Sequence, residues 1–190
     1  DINYDDILVG DKNAIMIAAR ILGYGKDYEI DLNCPKCGEV NKLTIDLTSL
    51  SNKELPFDKY TKNSSEFEFE LPLSKSSITF QLMNGTSEKA LESEMKGLAK
   101  FANKKGPGKT LTTRLKHQIV AINGNRDTKA IRDFVDNELF AQDSLALRNY
   151  MREAAPDVIT KFNFECDSCS HTETVDMPID TGFFWPSTTA

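Results

Sequence analysis

The 190 residues predict an α+β protein, with a β module built from both chain ends and a helical insertion of about four helices between them. Three observations carry that prediction. Apolar residues alternate in the strand period on both sides of Cys34-Pro35-Lys36-Cys37, and Val158, Phe162 and Phe164 lead in the same period into Cys166-Asp167-Ser168-Cys169. The two Cys-x-x-Cys pairs match, although 128 residues lie between Cys37 and Cys166. From Thr86 to Pro156 the apolar spacing changes to the helical period.

The opening segment reads as a helix capped by Asp11. Ala14, Ile15, Ile17, Ala18, Ile21 and Leu22 form its apolar face, and Gly23 and Gly25 stop it. Tyr28 to Leu32 then alternates into the first cysteine pair, and Leu43, Ile45 and Leu47 alternate back. After a polar stretch from Ser49 to Ser65, a second hairpin follows: Phe67, Phe69 and Leu71, then Ile78, Phe80 and Leu82 across a Ser74–Ser77 turn. Asn84-Gly85 ends it.

Four helices are predicted at about 86–103, 110–122, 127–139 and 143–154. Thr86 with Glu88, Thr110, Asp127 and Asp143 provide their starts, and Gly106-Pro107-Gly108 and Asn123-Gly124-Asn125 the breaks. Beyond Pro156, Val158, Phe162 and Phe164 lead into the second cysteine pair, with Thr174, Asp176 and Pro178 after it. The predicted division is thus 1–83 (helix, first cysteine hairpin, second hairpin), 84–156 (helical insertion) and 157–190 (second cysteine hairpin and aromatic tail).

Two thiolates spaced two residues apart can face one metal, because the turn between them aims its amide N–H groups at the sulfurs. Pro35 fixes such a bend and Gly38 tolerates a positive φ. Cys34, Cys37, Cys166 and Cys169 together form the four-ligand set of a structural zinc. The alternatives are two disulfides, a site that has lost its metal, or a thiol redox pair. A redox pair is expected to open a helix, whereas these pairs lie between strand-like runs. His171 reads as a neighbour of the site rather than a ligand, and His117 as a helix residue of packing or surface. Four thiolates leave no open coordination position, which argues against metal-assisted hydrolysis.

Other functions are excluded on composition or spacing. A net charge of −6 and the acidic Glu39, Glu165, Asp167 and Glu173 near the cysteines oppose nucleic-acid binding. The basic run Lys100, Lys104, Lys105, Lys109, Arg114 and Lys116 reads as a solvated loop and helix end. Gly106-Pro107-Gly108-Lys109-Thr110 lacks the first glycine of a phosphate loop, since Asn103 stands there, and no buried strand precedes it. It reads as a linker between helices. No apolar stretch approaches a membrane span, and no secretory signal is read within these 190 residues, which begin at Asp1 and leave targeting upstream open. Asp143 reads as a helix cap, with Arg148 available to pair with a carboxylate on a neighbouring turn. Phe183, Phe184 and Trp185 either complete the core or anchor a partner.

Several short motifs, taken in order, resemble the baseplate protein family of T-even-like contractile-tailed bacteriophages. They are Val9-Gly10-Asp11-Lys12-Asn13-Ala14, Arg20-Ile21-Leu22-Gly23-Tyr24-Gly25, the first cysteine turn and Leu71-Pro72-Leu73. Ile119-Val120-Ala121-Ile122-Asn123-Gly124, Asp143-Ser144 with Leu147-Arg148, Ala155-Pro156-Asp157, the second turn and Phe183-Phe184-Trp185-Pro186 complete the series. The resemblance implies a non-enzymatic protein of the baseplate hub or of its assembly, contacting other baseplate proteins. It also implies expression in the infected bacterial cytoplasm, where reduced thiols can take up zinc, and a place in the virion or in an oligomer of a symmetric baseplate. The competing class is a nucleic-acid-binding zinc-ribbon accessory protein.

Overall fold

The computed structural model describes residues 3–56, 60, 65–101, 107–179 and 181–185. Lys104 and Lys105 of the basic run, Asn103 and Gly106 of the glycine-rich string, and the end from Pro186 lie outside the described residues. Numbered in chain order, the elements begin α1 (Val9–Tyr24), β1 (Asp27–Asn33), β2 (Val40–Asp46), β3 (Ser51–Asn52), β4 (Glu66–Glu70) and β5 (Ser77–Gln81). Next come α2 (Gly85–Phe101), α3 (Pro107–Gln118), β6 (Ile119–Ile122), α4 (Thr128–Asp133) and α5 (Ala141–Ala154). The last are β7 (Val158–Ile159), β8 (Lys161–Glu165), β9 (Thr172–Asp176) and α6 (Thr181–Phe184). This is the mixed helix-and-strand architecture read from the sequence. The chain divides into two units, Asp1–Val9 with Glu54–Pro156, and Gly10–Lys53 with Asp157–Ala190.

The second unit is made from both sides of the first in sequence. Two antiparallel hairpins carry it: β1 pairs with β2 from Asp27↔Asp46 to Asn33↔Val40, and β8 with β9 from Lys161↔Asp176 to Glu165↔Thr172. A short ladder of β3 with β7 joins its two sequence segments. Strand alternation puts Tyr28, Ile30 and Ile45 on one side, where they pack with Ile17 of α1, Leu47, Met177 and Phe183. The opening helix starts at Val9, so Asp11 lies in its first turn and is not its cap. It stops where Gly25 turns to φ +86° and donates its N–H to Ile21 O at 3.0 Å.

The other unit holds a three-stranded antiparallel sheet, β4-β5-β6, against the helices. Its core centres on Phe67, Leu71, Ile78, Phe80, Leu115, Ile119 and Leu147. Here one expectation fails. Ile119–Ile122 do not end the second helix of the insertion; they form β6, with Ile78 opposite Ile122 and Thr79 opposite Ala121. The run Ile119-Val120-Ala121-Ile122 alternates buried and half-buried positions, and its β-branched side chains suit a sheet edge better than a helix. The same helix begins at Pro107, three residues before the expected Thr110, so Pro107 to Thr110 are helical rather than a linker.

Caps differ in detail as well. Asn84, rather than Thr86 or Glu88, caps α2: its Oδ1 accepts the Ser87 N–H at 2.9 Å while Ser87 Oγ accepts the Asn84 N–H at 2.9 Å. Asp127 caps α4 as expected, accepting the Ala130 N–H at 3.0 Å. That helix continues into a π-helical turn at Phe134–Glu138. Across α2, α3 and α4, Glu94 binds Arg132 through two bonds of 2.8 and 2.6 Å and His117 Nε2 at 2.9 Å. Arg132 first, with His117 assisting against partial burial, holds the Glu94 carboxyl down to about 2. His117 therefore links helices. Among the described residues Arg148 pairs with no carboxylate; its Nε donates to Ser144 O at 3.1 Å, one turn back on α5.

A candidate metal centre

Each cysteine pair sits at the tip of a hairpin, on a turn set by backbone hydrogen bonds. At the β1–β2 tip the Cys34 N–H donates to Glu39 O and the Gly38 N–H to Cys34 O, both at 2.8 Å. At the β8–β9 tip the Cys166 N–H donates to His171 O and the Ser170 N–H to Cys166 O, both at 2.9 Å. The fifth residue of each turn is left-handed: φ is +76° at Gly38 and +51° at Ser170. Two segments remote in sequence thus present the same thiol geometry.

The four Sγ atoms lie within 4.8 Å of one another, a cluster that can hold a metal ion. Cys34 Sγ is 3.7 Å from Cys169 Sγ, and Cys37 Sγ is 3.6 Å from Cys166 Sγ. Bonded disulfide sulfurs would be about 2.05 Å apart. Four thiolates around one tetrahedral ion, each at about 2.3 Å, would be about 3.8 Å apart. The observed separations fit the second arrangement, and all four cysteines are free. Cys34 and Cys166 are buried, Cys169 is half-buried and Cys37 is exposed. His171 is not among the clustered side chains; it contributes its backbone carbonyl to the turn.

The local field at the cysteines is divided between the sulfurs. Burial opposes ionising Cys166, but the N–H groups of Cys169 and Ser168, with the Cys37 and Cys34 thiols, outweigh it and bring its pKa down to about 6. The Glu39 N–H favours a Cys37 thiolate, yet burial and the Cys169, Cys34 and Cys166 thiols push it up to about 12. The neighbours that favour the Cys166 thiolate disfavour that of Cys37, a conflict that a bound cation would relieve.

Sequence reasoning missed Asn41. It is 2% exposed, and its Nδ2 donates to Glu39 O at 3.0 Å and approaches Cys166 Sγ at 3.6 Å. Its Oδ1 accepts the Asp167 N–H at 2.9 Å, so one side chain ties the two cysteine turns together. The signal was present: Asn41 is a polar residue at an inward-facing position of β2, in step with Leu43 and Ile45.

The three tail aromatics separate. Phe183 is fully buried, edge-on to Tyr28 and to Phe184 with both ring centroids 5.0 Å away, whereas Trp185 is 72% exposed. Among the described residues, no helix is long and apolar enough to cross a membrane.

A family model described as T4 bacteriophage base plate protein matches residues 2–185. The chain belongs to that family. Membership in the T4 base plate family agrees with the resemblance read from the ordered short motifs, and it makes other base plate proteins the expected contacts. No curated protein and no solved structure matches the chain.

Proposed function

We propose that this base plate protein is a non-enzymatic structural or assembly component of the baseplate hub, folded around a structural zinc and acting through contacts with other baseplate proteins. The observation that carries this reading is the convergence of Cys34, Cys37, Cys166 and Cys169 within 4.8 Å, in a chain of this family. Zinc is the ion that favours a closed tetrathiolate, and such a site leaves no position for an activated water. Its role is closure. It holds together two hairpins separated in sequence by Glu54–Pro156, restraining a very long loop. A thiol redox role is disfavoured because both pairs lie on hairpin turns, where neither opens a helix. Trp185 is the tail residue available to a partner, with Phe183 and Phe184 setting its base.

Elemental analysis of protein purified under reducing conditions should give one zinc per chain. Fractionation of infected cells then places the protein either in finished tails or only in their precursors. A zinc-free protein whose melting temperature is unchanged by a chelator would overturn the metal reading. A protein absent from every tail and precursor fraction would overturn the baseplate role.

A further inference from the structure

Strand β1 has β2 on one edge, and among the described residues no strand pairs with the other. The register decides which backbone groups are left over. The Cys34 N–H donates to Glu39 O at 2.8 Å and the Leu47 N–H to Lys26 O at 2.9 Å, bracketing the hairpin. Antiparallel alternation then places Tyr28, Ile30 and Leu32 in hydrogen-bonded pairs with β2, and turns the N–H and C=O groups of Asp27, Glu29, Asp31 and Asn33 toward the open edge. One of these is engaged, since Arg20 donates to Asp27 O at 3.3 Å.

A groove of about 1070 Å³ lies against β1, lined by Asp27 to Asn33, by Lys42 to Thr44 of β2, and by Arg20, Tyr24 and Pro178. Arg20 is 4% exposed, and its buried Nε has no hydrogen-bond partner.

Open edges are usually blunted by proline, a bulge, short length or charged side chains, lysine above all. β1 spans seven residues in unbroken register with β2, without proline or bulge, and charge is the device it carries. That charge is acid. Asp27, Glu29 and Asp31 are exposed on one face; Asp31 stands across from Lys42, whereas Asp27 and Glu29 stand across from Asp46 and Thr44, neither of them a cation. Two copies pairing edge to edge would oppose carboxylates, whereas a strand with cations at alternate positions would complement them.

We propose that the open edge of β1 receives an extended segment of another protein, basic at alternating positions, as a third strand of the β1–β2 sheet. The proposal rests on the protein–protein reading above only for the class of partner. The test uses the full chain as purified and an end-capped peptide of about eight residues, an ordinary strand length, alternating Lys and Val, with a Glu–Val twin as control. Hydrogen exchange read by NMR should slow by about tenfold or more at the Glu29, Asp31 and Asn33 amides with the Lys peptide, and stay unchanged with the Glu peptide. Asp31→Pro removes an outward N–H without touching the ladder to β2, and should weaken binding at least about tenfold. Asp31→Lys should weaken it by charge with the backbone intact. The absorption of cobalt bound to the cysteines reads the metal centre separately. Unprotected amides, binding indifferent to peptide charge, or protection that grows with protein concentration alone would each overturn the proposal. With an intact cobalt spectrum, such a result would leave the metal reading standing.

Discussion

Three hairpin tips in this protein share one backbone, and they differ in the anion that fills it. In the Leu71–Ser76 turn between β4 and β5, the Leu71 N–H donates to Ser76 O at 2.9 Å and the Lys75 N–H to Leu71 O at 3.0 Å, with φ +58° at Lys75. Those bonds repeat the turns Cys34–Glu39 and Cys166–His171 position for position. Leu71 takes the place of the first cysteine and is as buried as Cys34 and Cys166. In the second cysteine turn the N–H groups of Ser168 and Cys169 aim at the Cys166 sulfur. In the Leu71 turn the equivalent N–H groups, of Leu73 and Ser74, donate to the Asp143 carboxylate at 2.7 and 2.9 Å. The turn needs an acceptor beneath its amides, and whatever supplies it decides what the turn fastens. Four clustered cysteines can fasten it through a metal ion to a distant hairpin, and a buried aspartate fastens it to helix α5.

The sharpest way to break the comparison is to remove each acceptor. Cys34→Ser should cost the protein its metal and, with it, most of the order of Gly10–Lys53 and Asp157–Ala190, since structural zinc contributes apparent free energies on the order of 10 kcal/mol. Hydrogen-exchange mass spectrometry should show both cysteine hairpins losing protection while β4, β5 and β6 keep theirs. Equal loss in both units would mean the clasp is not local. Asp143→Ala should act on the other unit, leaving two N–H groups buried without an acceptor, at a cost of about 2–4 kcal/mol. Denaturant melts at saturating zinc measure this, and a change below about 0.5 kcal/mol, the range of a surface substitution, would show that water replaces the carboxylate.

Acid separates the two fastenings more gently. Burial alone would raise the Asp143 pKa, but the N–H groups of Leu73 and Ser74 outweigh it and keep it below the ordinary aspartate value. Glu94 is held at about 2. For both groups the folded state binds fewer protons than the unfolded chain. Their contribution is complete above the ordinary carboxylate pKa of about 4 and is lost as pH falls through the depressed folded values. Thiolate ligands meet proton competition at higher pH, because each must be deprotonated to hold the metal. A pH titration followed by NMR should therefore loosen the β1–β2 and β8–β9 hairpins before the helices. The reverse order would show that the carboxylate contacts are the weaker fastening.

What could be read from the sequence follows the range of the interaction that fixes each element. The hairpins announced themselves through alternation of Tyr28, Ile30 and Leu32 or Phe67, Phe69 and Leu71, and the cysteine cluster through two matched spacings. β6 did not, because four residues are too few to separate a strand from the end of a helix, and only pairing with Ile78 and Thr79 decides it. Asp143 near a helix start reads as a cap, whereas α5 starts at Ala141 after Phe140 and the carboxylate serves a turn 69 residues away in sequence. Asn41 bridges the two cysteine turns for the same reason. A lone polar residue names its partner only after folding has brought it near.

The smallest expected effect tests the turns themselves. A left-handed φ costs an L-residue roughly 1–2 kcal/mol, and glycine escapes that cost. Of the three equivalent positions, only Gly38 carries glycine; Lys75 and Ser170 hold φ values of +58° and +51° with side chains. Ser170→Gly should therefore stabilise the second cysteine hairpin by about 0.5–1 kcal/mol, part of the strain relief being offset by greater freedom of the unfolded chain. Gly38→Ala should destabilise the first by a similar amount. A Cβ built at Gly38 meets nothing within 4 Å, so the effect would be conformational rather than a clash. Zinc-affinity measurements on the two variants should move in opposite directions, since a turn already in its bound shape holds the metal more tightly. If both variants weaken the metal, the side chain of Ser170 is contributing something that its backbone does not.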